Sequence, residues 1–210
     1  VAICGFAPSR VEAPFMDATW EIWAVNNLAA HVTRVDVTFE LHHLQNLGNR
    51  RHPEYEQWMR NGCPSGAKPT TPIYMVQAKP EWPTSVTFPF EQVRSVFNEA
   101  HNTDYYTSSI AWMLCSAICE LTELVTIKGE DGSERQMRLA KPDVELSING
   151  VNMSAESEYA SQRPCVEYYT GMARGMGIPV YVPQTSDICK STAVYGIGTT
   201  APLAIKAAQQ

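Results

Sequence analysis

Apolar residues fall along this chain in short, unbroken runs that stop abruptly at polar residues or glycine. Val1 to Ala7 ends in Gly5-Phe6-Ala7-Pro8-Ser9, Trp20-Glu21-Ile22-Trp23-Ala24-Val25 stops at Asn26-Asn27, and Val35 to Leu41 stops at His42-His43. Val144 to Ile148 runs into Asn149-Gly150-Val151-Asn152, and Ile178 to Val182 into Pro183-Gln184-Thr185-Ser186. Apolar runs without alternation predict strands covered on both faces, as in a parallel sheet. A different period marks Ile110, Met113, Leu114, Ala117, Ile118 and Leu121, which share one helical face and predict a helix over Ile110 to Leu124 opened by Thr107-Ser108-Ser109. Pro164 reads as the start of another, Cys165 to Met176, closed by Gly177, while Lys128 to Lys141 reads as a solvated hairpin or loop.

The pattern predicts an α/β, three-layer, Rossmann-like domain with a mostly parallel sheet, its strands near 1–7, 20–25, 35–41, 144–149 and 178–182 and its helices near 108–122 and 164–176. A single domain is expected over 1–210, interrupted by an irregular, loop-rich insertion at about 45–100. Prolines 53, 64, 69, 72, 80, 83 and 89 punctuate that insertion, leaving Glu54 to Arg60 and Phe90 to Asn98 helix-like and Ile73 to Val76 strand-like. Such a segment between two parts of one sheet is expected to be a lid or binding loop. Trp58 and Trp82 within it are expected to be exposed, as a substrate platform or a contact in a homo-oligomer.

Composition narrows the function classes. Of 210 residues 44% are hydrophobic and 18% charged, the make-up of a globular chain. Sixteen basic against 22 acidic residues give a net charge of −6, and no basic run exceeds Arg50-Arg51, which argues against a nucleic-acid groove. No apolar stretch approaches the roughly 20 residues of a membrane span. Val1-Ala2-Ile3-Cys4 carries no basic leader and stops at Gly5, so it reads as a strand rather than a signal peptide. Six cysteines without a C-x-x-C pair read as reduced thiols in a cytoplasm, not as a zinc site.

Because ligands of open α/β sheets bind outside the carboxyl ends of the strands, the residues at those ends are the candidates. Gly5, Pro8 and Ser9 follow the first strand, where a glycine allows close approach to the backbone and a hydroxyl at a helix start can meet an anion. Asn26 and Asn27 follow the second. Glu40 and His42 follow the third on one face, with His43 on the other, and can orient a hydroxyl or transfer a proton, although one of the two histidines is expected to be structural. Thr107, Ser108 and Ser109 offer more hydroxyls than one helix cap requires, at a terminus suited to an anion. Gly150 and Asn152 follow the fourth strand; beyond them Glu156 or Glu158 is a candidate general base and Arg163 a candidate partner for a phosphate.

The order Gly5-x-x-Pro8-Ser9, Trp23-x-x-Asn26, Thr107-Ser108-Ser109 and Ser147-x-x-Gly150-Val151-Asn152-Met153, then a closing helix and the Ile178-Pro179-Val180-Tyr181 strand, carries a resemblance. It is similar to the Rossmann-like fold shared by bacterial CMP-sialic-acid sialyltransferases and 6-hydroxymethylpterin pyrophosphokinase-like (MptE-like) proteins. The chain also resembles short proteins of tailed bacteriophages with the same Trp20-Glu21-Ile22-Trp23 and Glu40-x-His42 segments. In the sialyltransferases the matching positions surround a cytidine nucleotide, which implies Gly5, Pro8, Ser9, Asn26, Thr107, Ser108, Gly150 and Asn152 as nucleotide contacts. Phe6-Ala7 stands where that family tends to have Asn-Gly, Asn152 where Asp is common, and no histidine lies near 158–163, where the sialyltransferases place their base.

Two functions are compatible with this reading. One is a phage-type nucleotide- or sugar-nucleotide-dependent transferase that moves a glycosyl or diphosphoryl group to a hydroxyl, using Glu40, His42, Glu158 and Arg163. The other is a non-catalytic binder that captures a host nucleotide or nucleotide-derived signal in the cytoplasm of an infected bacterium. The ligand is a nucleotide or sugar nucleotide in either case. Diphosphoryl transfer would call for magnesium, yet Asp36, Glu40 and Glu158 have no recognisable metal spacing.

Overall fold

The computed structural model describes residues 1–43, 53–61, 71–101, 104–153 and 158–191, the side chains of 99–101 and 158 excepted. Its centre is a seven-stranded sheet: β1 (Ala2–Cys4), β2 (Ile22–Val25), β3 (Val37–Glu40), β4 (Ile73–Met75), β5 (Ser85–Thr87), β8 (Leu146–Asn149) and β9 (Val180–Tyr181). The strands lie in the order β5-β4-β3-β2-β1-β8-β9, and all six pairings are parallel. The chain therefore builds outward from β1 in one direction and then, at β8, in the other. The gap between the ends of β1 and β8 is a topological switch point, where such sheets open a crevice. The fold is α/β and Rossmann-like, as the unalternated apolar runs predict.

Alternation along each strand sorts side chains between two unlike faces. Ile3, Trp23, Val25, Val37, Phe39, Leu146 and Ile148 face the main core, with α2 (Phe90–His101), α3 (Ser109–Leu121) and α4 (Glu158–Gly175) supplying Phe97, Met113, Leu114, Ile118, Val166 and Tyr169. Ala2, Cys4, Ile22 and Ala24 face the other way, against Ala13, Leu28, Ala29 and Val35 from 3-10 turns and loops. Beyond them Ile73 and Met75 meet Met59 of α1 (Pro53–Asn61) and Trp82. The two helices expected to cover the sheet thus lie on the same face.

Four expectations are corrected. The insertion at 45–100 contributes more to the sheet than expected: beside the expected strand β4, a further strand β5 extends it, and β5 escapes notice because it is a three-residue strand set between Pro83 and Pro89. Trp82 is buried in the small core, not exposed, and Trp58 is partly buried against both α1-side clusters. The helix from Ser109 stops at Leu121, and Thr122–Lys128 is a strand, β6, paired antiparallel with β7 (Glu134–Ala140) in a separate hairpin. Pro164 lies inside α4 rather than at its start. Lacking an N–H, it leaves the carbonyl of Ala160 without the usual helical donor. No described helix is long and apolar enough to cross a membrane.

Candidate functional site

A cleft of about 1170 Å³ opens at the carboxyl ends of β1, β2, β3 and β8. It brings together Gly5, Asn26, Asn27, Glu40, His42, Thr107, Ser108, Ser109, Gly150 and Asn152, ten of the residues singled out from the sequence. His43 lines it too.

Its first wall stands at the switch point. Gly5 N–H donates to Asn149 O and Ala7 N–H to Gly150 O, both at 2.8 Å, so the turn after β1 is bonded to the end of β8. A Cβ on Gly5 would lie 2.5 Å from Gly150 O, and one on Gly150 would collide with Gly5 O; Gly150 also has φ +66°. Both glycines are therefore required by the approach of two backbones, not by a ligand alone. Ser9 belongs to this joint. It is buried, its Oγ accepts from Gly150 N–H at 3.1 Å and donates to Asn152 Oδ1 at 3.3 Å, and neither it nor Pro8 lines the cleft. Asn152 Nδ2 in turn donates to Thr185 O.

A second wall carries the titratable groups. Glu40 ends β3 with 1% of its surface exposed. Its Oε1 accepts from His42 Nδ1 at 2.8 Å and from the His42 backbone N–H at 3.3 Å, and its Oε2 accepts from the Tyr55 hydroxyl at 2.6 Å. Since a carboxylate only accepts, the 2.8 Å contact places a hydrogen on Nδ1, so that in the neutral ring the lone pair lies on Nε2. Glu40 is thus the group that orients His42, and His42, exposed at the cleft, is the one that can exchange a proton. Burial, reinforced by the Glu40 charge and hydrogen bond, pushes the Tyr55 hydroxyl well above its ordinary pKa, so it stays protonated as a donor.

Between these walls α3 points its N-terminus at the cleft. Ser108 is the N-cap: its Oγ accepts from Ala111 N–H at 3.2 Å, and the first helical bond runs from Trp112 N–H to Ser108 O. One of the three hydroxyls is therefore spent on capping. The amides of Ser109 and Ile110 precede the first helical bond and, with the helix dipole, favour an anion. Thr107 and Ser109 add hydroxyls. Arg94 bonds both oxygens of Asp104 at 2.9 and 2.7 Å, fastening α2 to the segment that leads into this cap.

Other positions fall differently. Arg163 does not reach the cleft; it bonds Glu167 Oε1 at 2.8 Å and the carbonyls of Asp187 and Lys190 at 2.7 and 2.9 Å, holding α4 to the segment after β9. The expected phosphate contact is thus a structural clamp. Glu156 and the Glu158 side chain lie outside the described residues. Asp36 accepts from Ile22 N–H and pairs with Arg34, away from the cleft, and no group of three described metal-ligating side chains is placed to hold an ion.

Sequence reasoning missed several lining residues, Tyr55, Trp112 and Phe6 among them. Tyr55 reaches Glu40 from α1, the helix-like piece Glu54 to Arg60 of the insertion, which carried no sign of a partner at the end of β3. Trp112 sits one helical turn after Ser108, stacked on Tyr106 with ring centroids 3.9 Å apart and planes 8° from parallel; the i, i+4 spacing was a signal for it. Phe6, 44% exposed, presents a ring to the cleft. Asn26, at φ +52°, keeps its Oδ1 buried with no hydrogen-bond partner among the described residues. No described lining residue is a lysine or arginine.

No family model matches the chain, and comparison with curated proteins and with solved structures finds no match either.

Proposed function

We propose that this protein is a nucleotide- or sugar-nucleotide-dependent transferase that moves a glycosyl or diphosphoryl group onto a hydroxyl acceptor. One observation carries the reading: the carboxylate-oriented histidine, Glu40–His42, faces the same cleft as the N-terminus of α3. Phosphate oxygens bind at the Ser109 and Ile110 amides, and Phe6 and Trp112 offer apolar ring surface to the base. His42 Nε2 takes the proton of the acceptor hydroxyl as its oxygen bonds to the transferred carbon or phosphorus. The bond to the leaving phosphate breaks, and its electron pair departs on the phosphate oxygen, whose charge the α3 terminus stabilises.

A second reading keeps the ligand and drops the chemistry: a binder that captures a nucleotide or nucleotide-derived signal without consuming it. The absence of lysine and arginine among the described lining residues favours it, since transfer from a phosphate leaving group gains from a nearby cation. A thermal-shift screen against nucleotides, sugar nucleotides and cyclic dinucleotides, followed by mass analysis of any stabilising ligand, separates the two. The transferase consumes its ligand in the presence of a hydroxyl acceptor; the binder returns it intact. No stabilisation by any phosphate-bearing ligand would contradict both.

A further inference from the structure

The β6–β7 hairpin stands apart from the sheet, and its two faces differ in kind. Seven residue pairs run in continuous register from Thr122↔Ala140 to Lys128↔Glu134. With side chains alternating across it, one face holds Leu124, Arg138, Thr126, Gln136, Lys128 and Glu134. The polar groups of this face are satisfied within the hairpin, and Leu124, 63% exposed, stands alone among them: Gln136 Nε2 donates to Thr126 Oγ1 at 2.7 Å, Lys128 pairs with Glu134 at 3.3 Å, and Arg138 reaches Thr122 Oγ1 at 3.1 Å.

The opposite face holds Val125, Met137, Ile127 and Leu139, with Glu123 at the base and Arg135 near the tip. None of these four apolar side chains belongs to a described core cluster, and Ile127 and Met137 are 40% and 45% exposed. Backbone bonds from Lys141 to Leu121 and from Ala140 to Met176 anchor only the base. A two-stranded ribbon is marginal in water unless a face is covered. Something should therefore cover this one, and its charge pattern says what.

We propose that the face is covered by the same face of a second copy, in a two-fold dimer with the hairpins antiparallel, base against tip. That operation sets Val125 and Met137 at the centre of the contact and brings Glu123 of each copy beside the Ile127–Arg135 pair of the other. Glu123 and Arg135 form no ion pair among the described residues of their own chain, so each end of the patch presents the charge that the other end needs. The hairpin's three basic and four acidic side chains nearly cancel, so two arms meet without the repulsion that a net charge of −6 spread evenly would bring. A face about 20 Å long and two strands wide is small for an interface, which makes the dimer concentration-dependent rather than permanent.

The test is sedimentation equilibrium of the full chain over a wide micromolar range. A reversible monomer–dimer equilibrium is expected. Met137→Asp should leave monomer only, with the melting temperature that the parent shows at concentrations where it too is monomeric. Glu123→Arg or Arg135→Glu alone should weaken the dimer about tenfold, and the two together should restore it, a recovery that loss of apolar area or misfolding cannot produce. A monomer at every concentration, or a dimer indifferent to Met137→Asp, overturns the proposal. Failure of the double exchange to restore association overturns the base-to-tip arrangement. None of these variants touches the cleft, so ligand binding there should not change.

Discussion

The two walls of the cleft are built from different bonds. At the switch point, Gly5, Ser9 and Gly150 are joined by backbone amides and one hydroxyl, with no titratable group among them. Across the cleft, Glu40, His42 and Tyr55 are joined through side chains alone, apart from the His42 amide, and each of the three carries an ionisable group. The first wall fixes geometry and tolerates almost no change of shape. The second depends on proton affinity as well as on shape. Substitutions in the two should therefore be distinguishable, the first through stability and the second through turnover.

The largest effect is expected at His42. His42→Ala should lower the transfer rate about 10²–10⁴-fold, the usual worth of a positioned acid or base, while the melting temperature and nucleotide affinity stay near those of the parent. Steady-state rates beside calorimetric affinities check this, and a parallel loss of affinity would place His42 in binding instead. Gly150→Ala should do the reverse. A Cβ at φ +66° driven into Gly5 O should cost about 3 kcal/mol of folding stability, read by urea unfolding.

Ser9→Ala comes next. It leaves the buried Gly150 N–H without its acceptor and should cost about 1–3 kcal/mol, again in stability and with no direct loss of a ligand contact. The smallest effect belongs to Tyr55. Its hydroxyl titrates higher folded than unfolded, so the stability it contributes is fully present below its ordinary pKa near 10 and is lost as pH rises through the folded value. Tyr55→Phe should flatten part of the alkaline decline in melting temperature, the remainder belonging to groups such as Tyr106, which burial pushes up to about 12. An alkaline profile identical to the parent's would mean that burial and Glu40 together do not raise the Tyr55 hydroxyl's pKa.

The contrast between the walls also explains what could be read from the sequence. A strand buried on both faces is apolar until it ends, so Asn26, Glu40, His42 and Gly150 announced the sheet's ligand edge by where the apolar runs stopped. Glu40 and His42 were expected to share a face by strand alternation; they meet at 2.8 Å, but through the bend beyond β3, where the His42 amide also turns back to Glu40. Tyr55 was hidden because its relation to Glu40 is tertiary, with nothing in the spacing of the two residues to mark it. Ser9 and Arg163 misled in the opposite sense: a hydroxyl beside a strand end and an arginine beside a polar run suit an anion, but local geometry assigned them to Gly150 and to Asp187 and Lys190. Pro164 misled because proline favours a helix's first turn, whereas α4 is held just before it by the Arg163 bonds to Glu167, Asp187 and Lys190 and after it by packing of Cys165, Val166 and Tyr169 into the core.

The central claim is that the ligand's phosphate sits at the N-terminus of α3, and Ser108→Asp tests it most directly. Aspartate caps a helix as well as serine does, so the introduced carboxylate can accept from Ala111 N–H and keep the fold, while its charge opposes an anion at the Ser109 and Ile110 amides. Calorimetric titration of parent and variant with the nucleotide that stabilises the parent decides the matter. The account predicts an affinity reduced tenfold or more, about 1.4 kcal/mol, at an unchanged melting temperature. Equal affinity in the two proteins would contradict it.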